Sequence, residues 1–188
     1  PVTTLIELQG GAKVAHAITG ESEQKYLVAG SGGYGFIAAF GDMLSRVKAG
    51  KTFMTLTPDE VPLAPVALAP GLDHVAALSS RGRLLVFAVD EMREVPRGRG
   101  VIIMGLEGEE RLTAVGLATA SRVVLQGTNR LGRLVAEVIE GEELAKYRLR
   151  RARKGSLVKK RIKVVGFDPA RPVEPQDAID LEDVEVRR

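Results

Sequence analysis

Short apolar runs alternate with glycine-bearing or charged turns along the chain, and this order recurs. Residues 26–56 contain an apolar run, a glycine turn, a second apolar run, a basic loop with glycine and a third apolar run. Residues 74–104 repeat the same order about 47 positions later, a period typical of propellers and solenoids. Apolar runs of this length, bounded by turn residues, are typical of β-strands. The pattern therefore predicts an all-β fold of repeated four-stranded blades in a partial ring.

The repeat divides residues 1–167 into about 3.5 units, in the size range of propeller blades. Residues 1–20 form a partial unit with β-rich runs at 2–8 and 13–18, and residues 142–147 are predicted to form one helical turn. The turn of the last unit fits either residues 127–129 or Gly132. The complete units cover 25–70, 73–118 and 121–167, and residues 168–188 are predicted to be a flexible acidic tail.

Glycine residues mark the expected turns between strands. Residues 30–35 satisfy G-x-G-x-x-G and precede a segment, 36–47, that could form a helix, as in a dinucleotide-binding loop. The matching turn of the second unit, residues 79–82, lacks those glycines, which favours a tight hairpin in both units. Overlaying the units pairs Gly35 with Gly82, and the basic loops of the two units contain Gly50 and Gly98. We therefore predict structural turns at Gly35, Gly82, Gly50 and Gly98.

Length and composition favour one globular domain. The chain has 188 residues, 45% hydrophobic, 27% charged and without cysteine, so disulfides and thiolate metal sites are excluded. Apolar runs fall well short of the roughly 20 residues that a membrane-spanning helix needs. We expect a soluble, cytoplasmic protein with no membrane partner. Because it begins at Pro1, without an initiator methionine or a signal segment, we expect a fragment of a longer polypeptide.

Charge is distributed unevenly along the chain. Residues 168–188 contain seven acidic residues and three arginines, whereas residues 146–163 contain ten lysines and arginines and no acid. Cations also cluster in the equivalent loops of the first two units. Such a distribution indicates a basic binding surface followed by an acidic tail.

A curved basic belt along one rim of the blades would suit double-stranded DNA, because lysine and arginine neutralise phosphates and release bound counterions. Aromatic residues make up only 4% of the chain, which weakens a stacking platform for single strands, and no basic recognition helix is predicted. A protein-interaction propeller, whose basic rim meets an acidic partner, remains an alternative. The predicted DNA-binding residues are Arg46, Lys48, Lys51, Arg81, Arg83, Arg93, Arg97, Arg99, Lys146, Arg148, Arg151, Arg153, Lys154, Lys159 and Lys160.

Candidate catalytic chemistry is sparse. His16 and His74 are the only histidines, and neither has a nearby sequence partner for metal binding or acid–base work. Gly50-Lys51-Thr52 has the ending of a phosphate-binding loop, but Ser45 stands where that loop needs glycine. We therefore expect no catalytic residues, no metal and no cofactor in this chain, and an enzyme is the least favoured class.

Several motifs together resemble a known family. They are Gly33-Tyr34-Gly35-Phe36 with Phe40-Gly41-Asp42, the basic loop 46–51, and the pair 82–87 and 98–100 in the second unit. Residues 1–167 resemble the C-terminal domain of the A subunit of bacterial DNA topoisomerase IV, a type IIA topoisomerase. The resemblance implies a β-pinwheel, in which neighbouring blades exchange strands and a basic outer rim binds and bends duplex DNA.

The same resemblance implies the wider setting. The domain would present DNA segments for strand passage and help to set substrate preference, beside the remaining A-subunit domains and an ATPase B subunit in a heterotetramer. ATP and Mg would be used by other domains, and Tyr26, Tyr34 and Tyr147 match no nucleophilic tyrosine. The implied location is the bacterial cytoplasm, at the nucleoid and at the membrane periphery in the holoenzyme. The related gyrase A domain, which wraps DNA, is an alternative. Nothing in this sequence matches its Gln-Arg-Arg-Gly-Gly-Lys-Gly type box, which residues 151–155 resemble only distantly.

Overall fold

Three antiparallel sheets form the framework of the fold in a computed structural model that describes residues 12–168. The strands in this range are β1 (Lys25–Ala29), β2 (Tyr34–Ala39), β3 (Val66–Ala67), β4 (His74–Ser79), β5 (Arg83–Ala88), β6 (Val101–Ile102), β7 (Leu112–Ala118), β8 (Arg122–Thr128), β9 (Leu134–Glu140), β10 (Ser156–Leu157) and β11 (Lys163–Phe167). The short helices are α1 (Phe40–Met43) and α2 (Gly141–Ala145), and Val89–Glu91 forms a 3-10 turn.

The blades exchange strands. The first sheet has the order β3-β1-β2-β6, the second β10-β5-β4-β7 and the third β11-β8-β9. Strand β6 belongs to the second repeat but pairs with β2 of the first, and β10 belongs to the third repeat but pairs with β5 of the second. The last strand of a blade thus comes from the repeat that follows it, which confirms the predicted β-pinwheel.

Hydrophobic residues are buried between adjacent sheets. Strand β4 is buried at all six positions, and β5 is buried at its four central ones. One core cluster joins the first two blades through Leu27, Val75 and Ile103, and a second joins the last two through Leu84 and Ile139. Successive side chains of a strand point to opposite faces of its sheet, so an apolar strand contributes to the core on each side of its blade.

Hairpin turns between the first two strands of each blade are closed by glycines in the left-handed region. Gly33, Gly82 and Gly132 have φ angles of +85°, +73° and +74°. Each donates its N–H to the carbonyl three residues earlier, at 2.9 to 3.0 Å. Side chains rarely adopt this conformation, so glycine is favoured there. Of the two predicted registers for the last turn, the one centred on Gly132 is therefore right.

The prediction of a turn at Gly35 is wrong. Gly35 lies inside β2, paired with Ala29 on one side and Val101 on the other. A Cβ atom there would lie 2.4 Å from the Val28 carbonyl oxygen, so close packing of strands requires this glycine. Gly33, two residues earlier, is the equivalent of Gly82.

The segments around α1 and α2 match their predictions, whereas residues 13–18 do not. Residues 36–47 begin as strand β2 and contain only the four-residue helix α1, so the hairpin interpretation is confirmed over the dinucleotide loop. The predicted helical turn near residue 142 is present as α2. Residues 13–18 form no strand; their backbone instead follows the first blade, where His16 Nε2 lies 3.1 Å from the Pro62 carbonyl oxygen.

Part of the predicted organisation lies outside the described residues. This applies to residues 1–11 of the partial unit and to residues 169–188 of the acidic tail. Asp168, placed in the tail from sequence, donates its backbone N–H to the Val124 carbonyl at 3.0 Å. The sheet of the third blade therefore extends to this residue.

Candidate nucleic-acid interface

The basic loops belong to the segments that cross from one blade to the previous one. We define the exchange segments as residues 93–102 in the second repeat and 147–157 in the third. Ile37 on β2 donates its N–H to the Arg93 carbonyl and accepts the Val95 N–H, both at 2.9 Å. Val86 on β5 bonds in the same way with Tyr147 and Leu149, at 2.9 and 3.0 Å. The intervening basic loops therefore lie on the outer edges of the blades.

A glycine precedes each exchanged strand. Gly100 and Gly155 have φ angles of +78° and +70°. A Cβ atom would lie 2.0 Å from the Gly35 carbonyl oxygen in the first case and 2.5 Å from the Leu84 oxygen in the second. The sequence repeat pointed to Gly98 instead, which also has a positive φ of +127° but open space where a Cβ would be. The sequence signal for Gly100 and Gly155 is that each stands directly before a strand.

Ten of the fifteen predicted DNA-binding residues have exposed side chains and form no ion pair with any residue between 12 and 168. Most lie on the exchange segments or on the equivalent loop of the first repeat. They are Arg46, Lys48, Lys51, Arg81, Arg93, Arg97, Lys146, Arg148, Arg153 and Lys159. Since an unpaired exposed cation has its full charge available to a ligand, these ten form the candidate interface.

The other five predicted residues are held by neighbouring groups. Arg99 is 2.8 Å from Glu60, and its guanidinium lies 4.3 Å from the centre of the Tyr34 ring. Arg83 is 3.4 Å from Glu107 and 3.9 Å from Glu110. Because these contacts join separate strands and turns, both arginines stabilise the packing of the blades.

Arg151, Lys154 and Lys160 are likewise engaged. The Arg151 guanidinium donates to the carbonyl oxygens of Ile102 at 2.6 Å and Glu91 at 2.9 Å. Lys154 forms an ion pair with Glu107, and Lys160 lies 3.0 Å from Glu143. The exchange segment of the third repeat is thereby held against the second blade and its turns.

Two acids with enclosed side chains, the partly buried Glu60 and the buried Glu110, cap the hairpin ends of the first and second repeats. Glu60 accepts the Thr57 N–H at 2.9 Å, and Glu110 accepts the Ser79 hydroxyl at 2.5 Å and the Glu107 N–H at 3.2 Å. The Glu110 residue is only 2% exposed. Arg99, the partner of Glu60, and Ser79, the partner of Glu110, lie 39 and 31 residues away along the chain, so the local sequence does not indicate that these carboxylates are enclosed.

Hydrogen bonds lower the pKa of three carboxyl groups, two of which, Asp59 and Glu107, lie in these turns. The Lys154 ammonium bonded to Glu107 lowers the pKa of that carboxyl below its ordinary 4.5, and the charges of Lys154 and Arg83 act in the same direction. The Thr57 hydroxyl lowers the pKa of Asp59, with Arg111 2.8 Å away contributing. The His74 ring lowers the pKa of Asp73 through a 2.7 Å hydrogen bond. These acids stay ionised at neutral pH.

The third repeat lacks the acidic turn. In the second repeat, Ile103 donates its N–H to the Gly33 carbonyl, and residues 104–111 then form the turn before β7. Val158 makes the same bond to Gly82, but only residues 159–162 separate it from β11, and they include Lys159, Lys160 and Arg161. Arg130, Arg133, Arg161 and Lys163 are exposed at this end, so the third hairpin end is basic where the first two are neutralised. None of the four is among the fifteen predicted DNA-binding residues, although Arg161 and Lys163 belong to the basic run 146–163.

Between residues 12 and 168, no group of three or more His, Asp or Glu side chains has the geometry to hold a metal ion. In the same range, none of the helices has the length and apolar character needed to cross a membrane.

Comparison with known proteins agrees with the fold. Residues 73–118, the second repeat, match the family model of the DNA gyrase C-terminal domain, a β-propeller. The C-terminal domain of Escherichia coli ParC superimposes with a TM-score of 0.76 and 29% identity, covering 90% of this chain and 71% of that one. The structure of the DNA gyrase A C-terminal domain gives a TM-score of 0.66 at 17% identity, over 90% of this chain and 58% of that one, which supports the fold alone.

The chain belongs to the family of C-terminal β-pinwheel domains of type IIA topoisomerase A subunits. Within that family, it is similar to the A subunit of DNA topoisomerase 4. The subunit from Neisseria gonorrhoeae is 40% identical over 160 residues, which cover 79% of this chain and 21% of the relative. The subunit from Escherichia coli K12 is 30% identical over 182 residues, covering 95% of this chain and 24% of the relative. The chain thus spans about a fifth to a quarter of the length of these relatives.

Proposed function

We propose that this chain binds duplex DNA along its rim, through phosphate contacts and with little base readout, as a non-catalytic domain of a type IIA topoisomerase. The observation that carries the proposal is the set of ten exposed cations, unpaired within the described range, on and beside the loops of the exchange segments. Flexible lysines and arginines on loops suit phosphates, which repeat along any duplex whatever its sequence.

The wider role follows from the family. The domain bends a DNA segment around its rim and presents it for strand passage, which helps to set substrate preference. In a heterotetramer, its partners are the remaining domains of the same polypeptide, together with an ATPase B subunit. The resemblance to topoisomerase IV subunits over most of the chain supports this setting.

Salt dependence of duplex binding tests the proposal. If 6 to 10 phosphates are neutralised, affinity for a short duplex should fall about 10³- to 10⁵-fold between roughly 50 and 200 mM salt. Fluorescence anisotropy with two duplexes of unrelated sequence measures both the slope and the sequence dependence. A flat salt response, or strong preference for one sequence, would contradict phosphate-based binding. Preference for an acidic protein over duplex DNA in competition would favour the protein-interaction alternative.

The loop of the first repeat offers a sharper version of this test. Replacing Arg46, Lys48 and Lys51 together with Ala should lower the slope of log affinity against log salt by about 3, equally for both duplexes. The matched control is R46K/K48R/K51R, which keeps the charges and should keep the slope. Thermal unfolding of both variants should match the wild type, since these side chains are exposed and unpaired among the described residues.

A further inference from the structure

The hairpin between β8 and β9 ends in a rigid, basic turn with a leucine at its apex. The Asn129 side-chain oxygen accepts the N–H groups of Leu131 at 2.9 Å and Arg133 at 3.1 Å. In the backbone, Asn129 donates its N–H to the Arg133 carbonyl and accepts the Gly132 N–H, both at 3.0 Å. These four hydrogen bonds fix the turn, so Arg130, Leu131 and Arg133 have defined places at its tip.

Leu131 is the most exposed large apolar side chain between residues 12 and 168, at 78%. It stands at the position of Arg81 in the second hairpin, because Gly82 and Gly132 follow these two residues directly and close both turns with a left-handed backbone. Arg81 is exposed although the sheet of the second blade has all four strands. Exposure at the apex is therefore a property of the turn and does not depend on a further strand beside the blade.

Cations surround this apex. An isolated exposed leucine is ordinary on a protein surface. Here, however, Leu131 lies between Arg130 and Arg133, which are both exposed. Lys163 on β11 pairs with Thr128, the residue before the turn, and adds a third exposed cation beside the hairpin. The apex thus combines an apolar side chain with positive charge on both sides.

The same cations connect the third hairpin to the rim. Lys163 and Arg81 line one cleft of about 530 Å³ between the second hairpin end and the third repeat. Arg81 belongs to the candidate interface, as does Lys159, which lies four positions before Lys163. A duplex that follows these cations along the rim would reach the third hairpin end.

We propose that the third hairpin end is a second kind of DNA contact, in which Leu131 inserts between base pairs from the minor groove while Arg130 and Arg133 neutralise phosphates on either side. This inference rests on the rim binding proposed above and adds to it a place where the duplex is kinked. Minor-groove proteins combine arginines with an apolar side chain that enters a base step and bends the duplex. A rigid turn suits this role, because it loses little conformational entropy on binding.

Unstacking of a single base step tests the inserted leucine. The probe is a duplex of roughly 30 base pairs with one central TA step, which is easily kinked, and with 2-aminopurine as the adenine of that step. When the 188-residue chain binds, 2-aminopurine fluorescence should rise, and energy transfer between dyes on the two duplex ends should increase as the duplex bends. Leu131→Ala should lose most of both signals yet keep the slope of log affinity against log salt, because it removes no charge.

Matched variants separate the apex from its surroundings. Leu134→Ala should behave like wild type, because Leu134 is 77% exposed in the same hairpin but lies on strand β9 and not at the tip. Replacing Arg130 and Arg133 together with Ala should lower the salt slope by about 2, whereas R130K/R133K should keep it. Netropsin, which occupies the minor groove of A·T pairs, should suppress the fluorescence rise of wild type. Thermal unfolding of Leu131→Ala should match wild type, since the side chain is exposed.

The outcomes distinguish this proposal from rim binding. Salt-dependent binding without a fluorescence rise, or a rise that Leu131→Ala leaves intact, would overturn the inserted leucine and leave rim binding standing. Equal losses for Leu131→Ala and Leu134→Ala, or a rise that netropsin does not suppress, would also contradict insertion of the apex from the minor groove. A chain that does not bind the duplex even at low salt would overturn both proposals.

Discussion

Glu60 and Glu110 show how single side chains decide which cations of this molecule are available to a ligand. The side chain of each acid is enclosed at a hairpin end, and each lies beside an arginine from another part of the chain, Arg99 for Glu60 and Arg83 for Glu110. A buried carboxylate is stable only when hydrogen bonds and opposite charge replace its lost water. The two arginines are therefore structural, although their sequence context is that of the exposed cations.

Replacing Glu110 with Ala should destabilise the domain by about 2–4 kcal/mol, because the Ser79 hydroxyl and the Glu107 N–H lose their acceptor in a buried site. Chemical denaturation measures the change. Glu109→Ala is the control: Glu109 is exposed, and its replacement should change stability by no more than about 0.5 kcal/mol. Equal effects of the two substitutions would show that the buried hydrogen bonds contribute little.

At the scale of elements, the exchange segment combines two tasks. Its ends pair with the previous blade, and its middle projects the basic loop outward, so cations are presented by the same segment that holds neighbouring blades together. The glycine before each exchanged strand permits this close approach. Replacing that glycine should therefore affect packing, and not charge.

Gly100→Ala should destabilise the domain by more than about 2 kcal/mol, since left-handed strain adds to a clash with the Gly35 carbonyl. Gly108→Ala carries the strain without the clash and should cost about 1 kcal/mol. Comparing the free energies of unfolding of the two variants isolates the contribution of close packing. If both lose the same amount, the approach of the segment to β2 is looser than described.

The Lys154–Glu107 ion pair predicts a pH dependence of the contact between the third exchange segment and the second repeat. The pKa of Glu107 is lower in the folded state, so the stabilisation is complete above the ordinary value of 4.5 and is lost as the pH falls through the folded-state value. The melting temperature of wild type should exceed that of Glu107→Gln at neutral pH, and the difference should shrink in acid. A difference that grows as the pH falls below 4.5 would have the wrong sign.

On the scale of the whole molecule, cations on one exchange segment should separate into two classes. Arg97 is exposed and unpaired in the described range, whereas Arg99 is held by Glu60 and Tyr34. Arg97→Ala should lower the salt slope of duplex binding by about 1 with unchanged stability. Arg99→Ala should instead lower stability by about 1–3 kcal/mol, because Glu60 loses its charged partner. Paired measurements of anisotropy and thermal unfolding distinguish the two classes.

Much of this organisation could be predicted from sequence, and the limits have physical causes. Apolar runs and turns predicted the strands because burial on both faces of a blade requires them. The first hairpin turn was misplaced because residues 30–35 contain four glycines, and only hydrogen bonding selects Gly33. The sequence repeat does not indicate with which blade β6 or β10 pairs, because the strands that they pair with, β2 and β5, are distant along the chain. Likewise, the engaged arginines differ from the exposed ones only through acids that are distant along the chain.

Because of strand exchange, the first two structural blades each contain strands from two successive sequence repeats. The first blade lacks its outer strand until residues 101–102 are present, and the second blade lacks its outer strand until residues 156–157 are present. During synthesis, each blade must therefore remain incomplete until most of the next repeat has left the ribosome. Cleavage between repeats, for example after residue 118, would not release an intact unit, because it leaves the preceding blade without one of its own strands.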